Sequence, residues 1–254
     1  MKIFFEKVLL KVFIVLCIML VSGVVFCSGD GFHPARESFY SVFSHGFKVG
    51  QVKTVCEPFS RGNKKCFKFH SETLVHANFL FYSYGLDKTE EALVADDGAF
   101  YYKRTSMQNG KAQQVEGQLQ KSGFYFTIED NGDKRTQIID RGEYDFTTLD
   151  CPEFNMGPEE KEKTLRVLDF EHLKVLKRSY KWLKDEDIQV DGKLIKCKVI
   201  EFSDPYKKCR RWVKIDELGV LVLRQDGKGK EGSYSTRIVS LSVKPQANIA
   251  KNNS

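Results

Sequence analysis

The sequence predicts a mainly β protein: a single curved antiparallel sheet, or half-barrel, of about ten strands with little helix. Turn residues punctuate short apolar stretches from residue 38 onward, and in the last third they recur about every 10–13 residues, as in a meander. Between the turns, apolar and polar residues alternate, for example over Ile195–Val199. This alternation is typical of strands buried on one face.

The predicted turns are rich in Asn-Gly and Asp-Gly pairs, the strongest short-range hairpin signals because their positive φ matches the twist of the flanking strands. They lie at Gly46–Gly50, Arg61–Asn63, Asp96–Gly98, Gln108–Gly110, Asp130–Asp133, Asp191–Gly192, Ser203–Pro205, Glu217–Gly219 and Asp226–Gly227.

Residues 158–184 fit two interpretations. They open with Gly157-Pro158-Glu159-Glu160, a good helix start, and apolar residues follow at roughly helical spacing. Pairs such as Tyr180 and Trp182 also alternate as in a strand, and periodicity alone does not separate the two. We predict a short helix near 158–163 and strands beyond it.

Composition excludes several classes of protein. The chain has 254 residues, of which 41% are hydrophobic and 29% charged, ordinary values for a folded protein and not for a disordered or multi-pass membrane one. Its net charge of +6 is spread along the chain. This charge does not favour a nucleic-acid partner.

Residues 1–29 have the pattern of a secretory signal peptide and predict an N-terminal signal helix. Three lysines precede an apolar run over Val12–Phe26, and Gly29 offers a small residue for cleavage. The alternative is an uncleaved anchor, although a membrane-spanning helix needs about 20 apolar residues. We expect export, to the periplasm or else the medium, with membrane contact only through an uncleaved leader. The expected folded domain is 30–243, followed by a flexible tail over 244–254.

Five cysteines follow the leader, and none forms a CxxC pair. Hairpins centred midway between Cys56 and Cys66, and between Cys197 and Cys209, would bring each pair face to face at about 4.5–5.5 Å, which a disulfide spans. We therefore predict these two disulfides, with buried free thiols as the alternative. Cys151 is left over, either buried or bonded to another chain.

No catalytic signature is present: GxSxG, a phosphate loop and HExxH are all missing. We predict no enzyme activity, catalytic residue, metal or cofactor. His70, Glu72 and His76 would share one strand face, for which a polar solvent-facing surface is favoured over a metal site. Asp130–Asp133 starts like a calcium loop but lacks the later Glu, so a plain turn is favoured.

Aromatic residues cluster along several predicted strands. They form either the ordinary core of a sheet or a concave, ring-lined surface that holds an apolar ligand. The candidate ligand-binding residues are Phe79, Phe81, Tyr101, Phe124, Phe126, Tyr180, Trp182 and Trp212.

Three blocks carry a family resemblance: Phe39–Val42 with Gly46–Gly50, then Asp97–Phe100, then Trp212–Val222. Together they resemble a bacterial exported family of unknown function. The resemblance covers most of 38–241 and implies the antiparallel half-barrel of periplasmic lipoprotein carriers (LolA/LolB type), which favours strands over 164–184. The chain departs from the family in its paired cysteines, its Cys151-Pro152 segment and its Glu159–Lys163 charge run.

Two functional hypotheses follow. The first is an exported, non-enzymatic protein that binds an apolar or amphipathic ligand in the concave sheet: a lipid, an acyl chain or a lipidated protein. The second is a structural or scaffold protein of the cell envelope that acts through surface contacts.

Overall fold

The computed structural model describes residues 34–79, 82–229 and 232–244, and these form one sheet of fifteen strands. The strands are β1 (Ala35–Ser44), β2 (Phe47–Arg61), β3 (Lys64–Phe79), β4 (Tyr82–Ala95), β5 (Gly98–Gln108), β6 (Lys111–Leu119), β7 (Gly123–Asp130), β8 (Asp133–Asp140), β9 (Phe146–Thr147), β10 (Glu162–Asp169), β11 (Lys174–Val190), β12 (Lys193–Ser203), β13 (Lys207–Asp216), β14 (Gly219–Gly229) and β15 (Gly232–Lys244). The described residues add two short 3₁₀ turns, Arg141–Glu143 and Pro152–Asn155. The described part of the chain includes no helix of the length and apolarity that a bilayer crossing requires.

The sheet consists of two meanders joined through their ends. β1 to β8 pair in sequence order, β9 to β15 do likewise, and β15 pairs with β1, so that β8 and β9 are the two edges. All neighbours are antiparallel except β9 and β10. The predicted single, curved, mainly antiparallel sheet is confirmed, with the leader and residues 245–254 outside the described residues.

The predicted number of about ten strands is wrong, because several junctions between strands coincide with none of the predicted turns, and two of these junctions are short hairpins. The β3–β4 junction has the sequence Leu80-Phe81, and the β6–β7 junction has Gln120-Lys121-Ser122. By contrast, Asn109, Asn131 and Asp191 each precede a glycine, and both residues of each pair have positive φ, as the hairpin signal requires.

The Asp226–Gly227 turn prediction is also wrong, since both residues lie inside β14. The ring of Tyr234, directly opposite on β15, covers Gly227 so closely that a Cβ there would lie 2.2 Å from the ring. Gly227 therefore makes room for a side chain, the other common reason for a glycine within a strand.

The predicted short helix near 158–163 is wrong, whereas the strands beyond it are confirmed. β10 begins at Glu162 and pairs along its whole length with β11. The Trp182 amide donates to the Lys161 carbonyl at 2.7 Å, which extends this pairing backward. Strand pairing prevails because a helix of about six residues has little stability of its own.

The predicted disulfides are wrong, because the actual registers shift both hairpins. Cys56 faces Phe69 on β3, and Cys209 faces Phe202 on β12. Since side chains alternate between faces, Cys56 and Cys66 point to opposite sides of the sheet, and so do Cys197 and Cys209. All four are buried free thiols.

The concave side of the sheet is filled by two parts of the chain itself. The first, the connecting segment (residues 141–161), links β8 to β10, includes the edge strand β9 and buries Cys151, Glu153 and Met156. The second, the interior loop (Phe170–Leu173), joins β10 to β11. Both belong to the main core cluster through buried apolar side chains.

Candidate functional site

The interior loop crosses to the opposite meander and is held there by hydrogen bonds to its backbone. Arg104 on β5 donates through Nη1 to the carbonyls of Phe170 at 3.2 Å and Glu171 at 3.3 Å. Gln137 on β8 donates to the Leu173 carbonyl at 2.7 Å. Leu173 is buried and has a φ of 51°, a conformation that costs about 1–3 kcal/mol for a residue other than glycine. The loop is therefore strained and fixed by its partners.

Three aromatic residues, Tyr102, Phe124 and Phe126, surround the Phe170 ring; we call them the aromatic cage. Ring centroids lie 4.6 Å from Phe170 for Tyr102, 5.0 Å for Phe124 and 5.8 Å for Phe126. All four side chains are buried. Gly117 on β6 forms the floor of the cage, since a Cβ there would lie 2.5 Å from the Phe126 ring. The chain thus places its own phenyl ring in a pocket of rings.

A cluster of charged side chains adjoins the cage on the inner face. Lys88 and Glu90 on β4 pair at 2.6 Å, and both are buried. The Tyr102 hydroxyl donates to Glu90 at 2.7 Å, so this one side chain joins the apolar cage to the charges. Arg104 lies in the same region and donates to Gln113 at 2.6 Å.

Glu171 and Lys207 complete this interior charge cluster from the other meander. Burial raises the pKa of Glu171, the neighbouring charge of Asp169 adds to the rise, and the ammonium groups of Lys207 and Lys88 oppose it. Lys207 is only 4% exposed. Within the described part of the chain, neither Lys207 Nζ nor the buried Oε2 of Glu171 has a hydrogen-bond partner.

At the rim of the interior, His172 pairs with the buried Asp169 at 2.7 Å and stacks on the Tyr206 ring at 4.0 Å. Burial favours the neutral imidazole, but the hydrogen bond and charge of Asp169 and the charge of Glu171 outweigh it and raise the pKa of His172. For Asp169, burial is likewise outweighed by His172 and by nearby cations, so its pKa is lowered.

A second charged region lies on the inner face of the other meander. Arg178 pairs with Asp204 at 2.8 Å, and Arg211 pairs with Glu153 of the connecting segment at 2.6 Å. Both guanidinium groups lie over the Phe202 ring, at 4.8 and 4.7 Å from its centroid. The interior is therefore polar and charged as well as aromatic, which the aromatic pattern of the sequence did not predict.

The structure brings together only part of the predicted ligand-binding set. Phe124 and Phe126 form the cage, and Tyr180 is buried near Phe202, at 5.8 Å between centroids. Phe81 lies outside the described residues, and of Phe79 only the backbone at the end of β3 is described.

The other three predicted residues lie away from the cage. Tyr101 points to the opposite face from Tyr102 and donates to Glu116 at 3.3 Å. Trp182 is half-buried and donates to Asp185 at 3.3 Å. Trp212 is buried beneath the Arg224 guanidinium, which lies 4.5 Å from its ring centroid.

Sequence reasoning missed Phe170, Lys88, Glu90, Arg104 and Lys207. In β4 the charged residues fall on both parities, with Asp87 and Glu91 outside, so alternation gives no sign of the buried pair. The outward histidine strand is as expected: His70 lies 3.2 Å from Glu72 and 3.6 Å from Glu91. The described residues include no group of three or more His, Cys, Asp or Glu arranged to hold a metal ion.

The fold and its interior define a β-barrel-like domain whose curved sheet encloses parts of its own chain. No protein-family profile matches the sequence, and no curated protein matches it either. Among solved structures, it is similar to a β-barrel-like protein of a domain of unknown function, DUF1849, from Brucella abortus. The TM-score is 0.54 at 12% identity, over 84% of this chain and 98% of the other. This similarity establishes the fold.

Proposed function

We propose that this is an exported, non-catalytic protein that binds an apolar or amphipathic ligand, such as a lipid, an acyl chain or a lipidated protein, inside its curved sheet. One observation carries the proposal: Phe170 occupies the aromatic cage as a ligand would, with its ring 4.6 Å from that of Tyr102. Aromatic residues that bury large areas against one another are the usual lining of an apolar binding site.

The interior loop is suited to give way to a ligand. Its Leu173 is strained and its Glu171 carries a buried carboxylate oxygen without a partner, and both features reduce the free energy that holds the loop in place. Segments of low local stability are the ones that open for ligands. A ligand that fills the cage would replace the ring contacts of Phe170, and release of the strain at Leu173 would offset part of the cost of breaking the hydrogen bonds of the loop.

Two measurements test the proposal. Native mass spectrometry of protein purified from its own cell envelope should detect a bound lipid, and a neutral fluorescent probe, N-phenylnaphthylamine, should bind the isolated protein. Phe170→Ala vacates the cage and should tighten probe binding several-fold, because the internal competitor is gone. Phe39→Ala, on a residue that is 40% exposed on the outer face, is the matched control and should change nothing.

Empty protein from the envelope, together with no probe binding by the wild type or by Phe170→Ala, would refute the proposal. That outcome would favour the second candidate, a structural envelope protein. Its support is that side chains of the connecting segment and of the interior loop already fill the concave side. Cross-linking in cells through the exposed Lys181 and Lys208 should then capture one stable protein neighbour.

A further inference from the structure

We infer that the ligand has an anionic head beside an apolar chain, and that Lys207 receives the head. This inference rests on the proposed function and names its ligand class. Phe170 and Glu171 are consecutive residues: the ring of one fills the aromatic cage, and the carboxylate of the other enters the interior charge cluster. Together they occupy the positions that the apolar chain and the anionic head of an acidic amphiphile would take.

Lys207 is the buried cation that can donate hydrogen bonds to an anionic head group. Lys88 is already paired with Glu90 at 2.6 Å, and Arg104 is engaged by Gln113 and by the carbonyls of the interior loop. Lys207 is as deeply buried, yet none of the described residues accepts a hydrogen bond from its Nζ. A buried ammonium group without an acceptor is unfavourable, so an anion that reaches it gains a strong interaction.

Glu171 satisfies Lys207 only in part. The charge of Lys207 acts on the carboxylates of Glu171 and Asp169, but neither Lys207 Nζ nor Glu171 Oε2 has a hydrogen-bond partner among the described residues. When the interior loop withdraws, Glu171 leaves with Phe170, and Lys207 keeps its place because it lies within β13. A ligand carboxylate or phosphate would then take the position that Glu171 vacates, with its chain in the cage.

Tyr102 connects the aromatic cage to the interior charge cluster. Its ring lines the cage against Phe170 while its hydroxyl donates to Glu90 in the interior charge cluster. The apolar and charged parts of the site therefore meet along one side chain. An alkyl chain with a terminal acidic group has the same order of parts.

The test compares ligands that share a chain and differ in their heads. Dodecanoate, dodecyl phosphate, dodecanol and dodecylamine, each below its micellar concentration at pH 8, displace bound N-phenylnaphthylamine from the full-length protein. The anionic ligands should displace the probe at concentrations at least about tenfold lower than dodecanol, with dodecylamine weakest. The order of dodecanoate and dodecyl phosphate shows which of the two anionic heads the site prefers.

Three variants test which residue provides the preference for an anionic head. Lys207→Met should abolish the preference while dodecanol still binds, and Lys208→Met is the matched control. Lys208 is the next residue, lies exposed on the outer face and pairs with Glu201 at 2.7 Å, so its variant should keep the preference. Glu171→Gln should tighten the binding of dodecanoate and of dodecanol alike, several-fold, because either ligand displaces the interior loop, and should leave the preference for the anionic head unchanged.

The outcomes distinguish failure of this inference from failure of the proposed function. If no ligand displaces the probe, or the probe does not bind, the proposed function itself fails. If dodecanol equals dodecanoate in the wild type, the site is apolar only; the inference is then overturned and the proposed function stands. If Lys207→Met does not fold, the wild-type order and the Glu171→Gln shift still decide.

Discussion

Arg211 and Glu153 form a buried ion pair that ties the sheet to the connecting segment. Arg211 Nη1 lies 2.6 Å from Glu153 Oε1, and both side chains are almost completely buried. Arg211 also donates through Nε to Gln225 at 2.6 Å. The pair fixes the connecting segment inside the second meander, and removal of either member leaves an uncompensated charge in the core.

The first prediction is that Arg211→Met lowers the free energy of unfolding by about 3–5 kcal/mol, because the Glu153 carboxylate stays buried without its cation. Urea unfolding followed by circular dichroism measures the change. Lys181→Met, which breaks the exposed pair with Glu162, is the control and should cost about 0–1 kcal/mol. A double variant, Arg211→Met with Glu153→Met, should be more stable than Arg211→Met alone; a less stable double variant would contradict this account.

The turn residues made the strands of the sheet predictable from the sequence, whereas the side chains that fill its interior were not predictable. Asn109, Asn131 and Asp191 specify hairpins locally, through positive φ next to a glycine. Lys207 and Lys208 look alike in the sequence, and only the register set by the Phe202–Cys209 pair sends the first inside and the second outside. Phe170 lies in a stretch of mixed periodicity, and its cage is built from residues about 44 to 68 positions earlier in the chain. Hydrophobic periodicity is read in windows of about 11–18 residues, which do not reach that far.

The second prediction concerns the thiols. Burial raises the pKa of Cys56 and of Cys197 to about 11 each, so little reactive thiolate is present at pH 8. Without reductant, the native protein should react slowly with a thiol reagent, and the cysteines at 56, 66, 197 and 209 should all be labelled once guanidinium unfolds the chain. Peptide mapping identifies the labelled positions. Labelling that appears only after reduction would show disulfides and contradict the observed register.

The third prediction concerns the floor of the aromatic cage. Gly117→Ala places a Cβ 2.5 Å from the Phe126 ring, so the ring must shift, and we expect a loss of about 1–3 kcal/mol in unfolding free energy. Gly142→Ala, where nothing lies within 4 Å of the new Cβ, is the control and should change stability by less than about 0.5 kcal/mol. Gly117→Ala should also weaken N-phenylnaphthylamine binding if the aromatic cage is the binding site of the probe. Equal stability of the two variants would mean that Phe126 does not pack on Gly117.

The last prediction is a pH dependence at the rim, where His172 meets Asp169 at 2.7 Å beside Glu171, Lys207 and Tyr206. The pKa of His172 is raised, so its contribution to stability is fully present below the unfolded value of about 6.5 and is lost as pH rises through the folded value. The lowered pKa of Asp169 keeps the pair intact until pH falls below about 4. His172→Gln should therefore cost about 1–2 kcal/mol between roughly pH 4.5 and 6.5, and less at pH 9, as measured by urea unfolding across pH. In an Asp169→Asn background the same substitution should cost less and vary less with pH, because only the charge of Glu171 then favours the imidazolium against burial. A pH variation of undiminished size there would show that Asp169 is not the main source of the charge stabilisation of His172.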